Sequence, residues 1–211
     1  MKNNKALAVL FLIVFIDLIG FGIIIPLIPL YASSFGANSV FIAMLVAIYP
    51  LMQFFFAPIW GNASDRYGRR PILVATLAGS VLAYIALGSA KFLWVIFFAR
   101  ALSGAMAGDI STAQAYIADI TTPENRSRGM GMLGAAFGLG FIFGPAIGGV
   151  LATWGGEGAN YQIPSFFAAF LSFVGFILAF TCLPDSLNSQ IKESQSSQSN
   201  KSRGFLSGFR V

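Results

Sequence analysis

The chain contains no histidine, one cysteine and few charges. Without histidine there is no imidazole base, no Ser-His-Asp triad and none of the common histidine zinc sites. The single thiol, Cys182, allows no intrachain disulfide and no cysteine metal site. Hydrolase and metalloenzyme chemistry are disfavoured on these grounds, and neither enzymatic activity nor a cofactor is expected. Charged residues make up 10% of the chain, against about a quarter in a soluble domain. Their place is taken by hydrophobic residues, 56% of the total, with 22 phenylalanines among 211 residues. A net charge of +5 would suit nucleic acid if it were clustered on one soluble face. Its placement along the chain points to membrane topology instead, and no nucleic-acid partner is expected.

Six apolar segments stand out: Leu7–Leu30, Val40–Trp60, Ile72–Ser89, Phe92–Ile117, Met130–Trp154 and Ile163–Leu183. Each has the length of a membrane-spanning helix, about 20 residues. Barrel strands would be about ten residues long with strict alternation, and that pattern is missing. The first segment follows Lys2 and Lys5, as a signal peptide would. It is too long for a signal core and no convincing cleavage site closes it. The fold class is therefore an all-α integral membrane protein with six transmembrane helices, in contact with membrane lipid.

Eleven of the thirteen basic residues fall in the N-terminus, in the turns after the second and fourth segments, and in the tail. The alternate turns hold only Lys91. The positive-inside rule places the basic side in the cytoplasm of an inner or plasma membrane, with both chain ends there. The stretch from Asp185 to Arg203, rich in Ser, Gln, Asn and Lys, reads as a cytoplasmic linker. Gly204–Val211 turns apolar again and the chain stops, which leads us to expect a missing second part. The expected organisation is a six-helix bundle over 1–184, made of two three-helix repeats of about 1–90 and 91–184. The linker over 185–211 follows, cut before a seventh helix.

Polar residues inside these segments are the candidates for function. Asp17 lies about ten residues into the first segment, roughly 15 Å deep. A carboxyl at that depth is costly to keep and suits a group that takes up and releases a proton. Pro26 and Pro29, further along, bend the helix and free carbonyls. Arg100 is the one basic residue deep in a segment, followed on its own face by Gly104 and Gly108, which admit another helix closely. Asp17 is its obvious acidic partner. Asp109 is nine residues from Arg100, half a turn away in azimuth, so it faces a water-filled cavity or pairs elsewhere. Gln114 and Tyr116 add polar groups nearby. In the fifth segment Gly140, Gly144 and Gly148 recur every four residues around Pro145, a tight packing seam or a bending point. In the run GNASDRYGRRP, Gly61 and Gly68 permit a sharp turn. Asp65, Arg69, Arg70 and Asp119 form an acid–base cluster able to latch the cytoplasmic helix ends. Exposed ion pairs are each worth only about 0–1 kcal/mol, and a latch that opens and closes should be weak.

These residues resemble a known family. GNASDRYGRRP (with Arg66) is similar to the major facilitator superfamily signature G-x-x-x-D-R-x-G-R-[RK]. The run from Asp17 to Pro29 resembles the first helix of its drug–proton antiporter branch. FFARALSGAMAG, from Phe97, resembles the helix-four signature. Gly131, Gly140, Gly144, Pro145, Gly148 and Gly149 follow the antiporter pattern G-x8-G-x3-G-P-x2-G-G position for position. Together they resemble the tetracycline-efflux proteins over nearly all of Leu7–Leu183, as the N-terminal half of a twelve-helix major facilitator fold.

The resemblance implies efflux of small lipophilic drugs by alternating access, with protons as the coupling ion and a C-terminal six-helix half as partner. It implies proton coupling at Asp17, gating at Asp65, Arg69 and Arg70 with Asp119 in the charge relay, and an antiporter hinge at Gly144–Pro145. Arg100 matches the helix-four arginine. The chain departs from many tetracycline exporters at Ser80-Val81-Leu82-Ala83-Tyr84, where a run like S-L-D-Y would carry an aspartate. Asp109, where a neutral residue is expected, raises the expectation that the acid has moved. The alternatives are a metabolite or sugar permease of the same superfamily, or an inactive truncated product.

Overall fold

The computed structural model describes residues 2–154 and 159–184. The expected linker and the apolar run after it lie outside the described residues. Among the described residues seven helices follow one another: α1 (Lys2–Ser34), α2 (Ser39–Tyr67), α3 (Arg69–Gly88), α4 (Leu93–Met106), α5 (Asp109–Ile120), α6 (Pro123–Ala152) and α7 (Gln162–Cys182). No strand occurs among the described residues. Six helical stretches among the described residues are long and apolar enough to cross a membrane. The fourth, Leu93–Ile120, is α4 and α5 together.

The helices outrun the apolar segments at their charged ends. α2 continues through Asp65 and Arg66 to Tyr67, and α6 begins at Pro123, ahead of the apolar run from Met130. Hydropathy marks where lipid is tolerated, whereas caps and glycines mark where a helix stops. Asn38 caps α2 by accepting the Phe41 N–H at 2.8 Å, and Pro123 occupies the first turn of α6, where no N–H is needed. Gly68 alone separates α2 from α3, at φ 108°, a conformation that suits glycine. Gly61, expected in that turn, lies inside α2 instead.

The fourth span is broken where the sequence suggested one continuous helix. Ala107 and Gly108 leave helical geometry, and α5 restarts at Asp109. Gly108 disfavours helix continuation, while an acid suits a helix start. The Gly108 carbonyl accepts the hydroxyls of Thr112 (2.7 Å) and Ser111 (3.1 Å). The Ala105 carbonyl accepts the indole N–H of Trp60 at 2.6 Å, across from α2. Trp60→Phe removes that donor while keeping an aromatic ring against Gly108. We expect a stability loss of about 1 kcal/mol in denaturant unfolding of the detergent-solubilised chain; an unchanged midpoint would show that the bond does not support the break.

α1 packs along α6 and α7, α3 along α7 and α4, and α2 along α4. The pairing keeps its form when the first three spans are exchanged with the last three. Two apolar cores result. One contains Ile23, Ile28, Tyr31, Leu45, Tyr84, Leu87 and Ile96. The other contains Leu10, Ile13, Leu18, Leu73, Leu77, Tyr116 and Leu133, toward the arginine-rich end. Asp17, Asp109 and Ser172 form a buried polar layer; on α7, Ser172 lies between Ala169 of the first core and Ala179 of the second.

Candidate functional site

Asp17 stands halfway along α1 and is buried. It accepts the Ser172 hydroxyl of α7 at 2.8 Å. The Asp109 carboxyl stands beside it, lining the same small cavity. The break in span four makes this possible. By restarting the helix at Asp109, it sets that side chain on the first turn of α5, where backbone N–H groups lack intrahelical acceptors. Both acids line a cavity of about 20 Å³ with Phe21, Tyr49, Ser80, Tyr84 and Ser103, room for about one water.

Arg100 does not pair with Asp17 as expected. Its guanidinium lies 4.7 Å over the ring of Tyr49, and its Nε and Nη1 are buried without a hydrogen-bond partner. Gln114 is also placed elsewhere than expected. It is exposed, in a wider groove of about 540 Å³ between α2 and α5 lined also by Gln53, Phe54 and Ser111. Ala107 and Ile110 touch both spaces, so the break separates cavity from groove. Tyr49, Tyr84 and Ser172 went unassigned in the sequence. Ser172 shares the apolar run of α7 with two other hydroxyl residues, Ser165 and Thr181, and nothing set it apart.

Beside this layer, α1 and α6 approach closely. A methyl carbon at Gly140 would sit 2.8 Å from Leu18 Cβ, and one at Gly148 would sit 3.0 Å from the Ile23 carbonyl oxygen. Gly22 of α1, unnoticed in the sequence, completes the seam opposite Gly140 and Gly144. Gly131 and Gly149 have open space around them and stand outside it. Pro145 is part-buried beside the seam.

At the arginine-rich end Arg69 joins Asp65 and Asp119, three of the four residues expected in the latch. Arg69, the first residue of α3, donates from Nε to Asp119 at 3.0 Å and from Nη1 to the Ser64 hydroxyl at 2.7 Å. It also pairs with Asp65. The Asp65 side chain is 64% exposed and that of Asp119 only 21%, so the Asp119 arm is less screened. Arg70 and Arg66 stand apart from the latch. Arg70 donates to the Phe180 carbonyl near the C-terminus of α7, where helical carbonyls lack internal donors. The Arg66 guanidinium lies over the neighbouring Tyr67 ring.

Comparison with known proteins matches residues 10–210 to the family model of the Major Facilitator Superfamily. Tetracycline resistance protein class G of Vibrio anguillarum is 39% identical over 90% of this chain and 47% of its own length. The class C protein of Escherichia coli is 38% identical over 72% of this chain and 39% of its own length. Multidrug resistance protein 2 of Bacillus subtilis is 31% identical over 90% and 46%. Among solved structures, the human organic anion transporter MFSD10 (TETRAN) superposes with a TM-score of 0.78 at 25% identity, covering 88% of this chain and 49% of that one. The chain spans about half the length of the relatives it matches. With six helices able to cross a membrane, this is a multi-pass membrane protein belonging to the major facilitator superfamily.

Proposed function

We propose that the chain forms the N-terminal half of a proton-coupled exporter of small lipophilic drugs, tetracycline-like molecules among them, working by alternating access. The observation that carries the reading is Asp17, a buried acid halfway along a membrane helix, beside the glycine seam that matches the antiporter pattern. Protons are the coupling ion, and they load and leave the layer around Asp17. The latch of Arg69 with Asp65 and Asp119 closes the cytoplasmic ends in one state and releases them in the other. Both chain ends lie in the cytoplasm, by the charge bias of the turns. The two three-helix groups act as inverted repeats, since an odd number of spans reverses the second. Substrate binds against a C-terminal six-helix half, for which the apolar side chains exposed on α2 and α6, such as Phe54, Phe55, Ile142 and Phe143, leave a surface.

The reading is tested in everted vesicles carrying this chain together with a C-terminal six-span half. Tetracycline is added to an established proton gradient reported by a pH-sensitive dye. Gradient loss on addition is expected; a gradient indifferent to the drug, with both halves present in the membrane, would overturn the reading. Asp65→Asn should slow turnover several-fold while leaving drug binding unchanged, because Asp65 lies in the latch and far from the cavity. Its effect on stability should stay within about 1 kcal/mol, as for an exposed pair. Equal losses in binding and turnover would remove the gating role.

A further inference from the structure

We propose that Asp17 and Asp109 together hold a single proton, so that the proton-binding group of this chain is a carboxylic acid–carboxylate pair built from α1 and the broken fourth span. The inference rests on the exporter reading only for its purpose; the pair itself stands on geometry. Both carboxyls line the same cavity of about 20 Å³, and ionised carboxyls offer only acceptors, so a direct hydrogen bond between them would require a proton on one. Both are buried, where two like charges side by side are not sustained.

Arg100 supplies a second, independent observation. It is buried with Nε and Nη1 unpartnered, against Tyr49, which forms part of the cavity wall. Arg100 forms no ion pair with either acid, so neither carboxylate has a contacting cation and a shared proton is what lowers their combined charge. With one shared proton, the pair and Arg100 also sum to zero buried charge, the arrangement a membrane interior tolerates best. The other titratable groups around the layer are the phenols of Tyr49 on α2 and Tyr84 on α3. α7 contributes Ser172 and α6 contributes the glycines of the seam, none of them ionisable. Asp109 brings its carboxyl to the same cavity as Ser80 and Tyr84 of α3.

The test is an infrared pH titration of the carboxyl C=O band of the whole chain in lipid vesicles, as difference spectra against the Asp17→Asn, Asp109→Asn double variant. Interacting sites lose their protons in two macroscopic steps. Two steps are expected from the native chain and one from either single variant, at a pH apart from both native steps; a remaining step left in its native place would mean two independent acids and overturn the pair. A band lost altogether in Asp17→Asn, or a profile unmoved by Asp109→Asn, would assign the proton to Asp17 alone and overturn the pair. Displacement of the band at fixed pH when sodium chloride replaces choline chloride would make the site a metal-cation site and overturn it as well. Should either asparagine variant fail to fold, Asp109→Glu keeps a second carboxyl and must retain two steps; a single step there refutes sharing. The titration needs neither drug nor second half. A two-step band with no drug-dependent proton movement would therefore sink the exporter reading and leave the pair standing.

Discussion

Asp17→Asn is expected to abolish drug-driven proton movement, bringing the everted-vesicle signal down to that of vesicles lacking the protein, while leaving the chain inserted and folded. The substitution is nearly isosteric. The asparagine carbonyl still accepts the Ser172 hydroxyl that Asp17 accepts at 2.8 Å, and its amide can donate to Asp109. Every polar contact of the site then survives except the one that depends on a removable proton. Asp17→Ala is a poorer experiment: it strips the Ser172 hydroxyl of its acceptor, at about 1–3 kcal/mol for an unsatisfied buried group, and confounds loss of coupling with loss of fold. Membrane extraction and size-exclusion profiles of Asp17→Asn should match the native chain. Proton flux that persists in a correctly inserted Asp17→Asn protein would remove Asp17 from the coupling step.

The placement of polar residues within apolar segments made Asp17, Arg100 and Asp109 visible in the sequence, because ionisable groups in such runs are rare. The latch was equally legible, since its charges cluster at segment ends on the basic side. What remained hidden depends on the relative rotation and depth of helices. Arg100 and Asp17 have opposite charges and similar depth, which suggested a pair. The structure turns Arg100 onto Tyr49, gives Asp17 to Ser172 and sets Asp109 on the same cavity. Tyr49, Tyr84 and Ser172 carry hydroxyls that membrane helices accommodate readily, so nothing in their own segments marked them. The break at Ala107 and Gly108 was hidden for another reason: Gly104 and Gly108 at four-residue spacing also describe a continuous packing stripe. Gly104 does pack that way, on the backbone of Tyr49, whereas Gly108 ends the regular helix. Gln114 was assigned to the cavity by proximity in sequence, and the rotation of α5 carries it to the open groove.

The glycines of α6 separate into two classes that one pair of substitutions should resolve. At Gly144 a methyl carbon would lie 2.7 Å from the Gly22 Cα and carbonyl carbon and 2.9 Å from the Ile23 nitrogen. These are backbone atoms, which no rotamer change can move aside, so α1 and α6 must separate along the seam. Overpacking of side chains costs about 1–3 kcal/mol, and a clash between two backbones belongs at or above the top of that range. Lipid aggravates the effect, because helix association there depends on close packing rather than on removal of apolar surface from water. Gly144→Ala is therefore expected to lose about 3 kcal/mol or more, seen as a sharply lowered unfolding midpoint in mixed detergent micelles. Gly149→Ala, five residues further along the same helix, meets nothing within 4 Å. There the higher helix propensity of alanine, up to about 1 kcal/mol, is the only term left, so the midpoint should hold or rise slightly. Equal responses at the two positions would mean that the glycine run serves helix flexibility rather than a seam. A large loss at Gly144 alone fixes the contact between α1 and α6 as the feature that holds Asp17 in place.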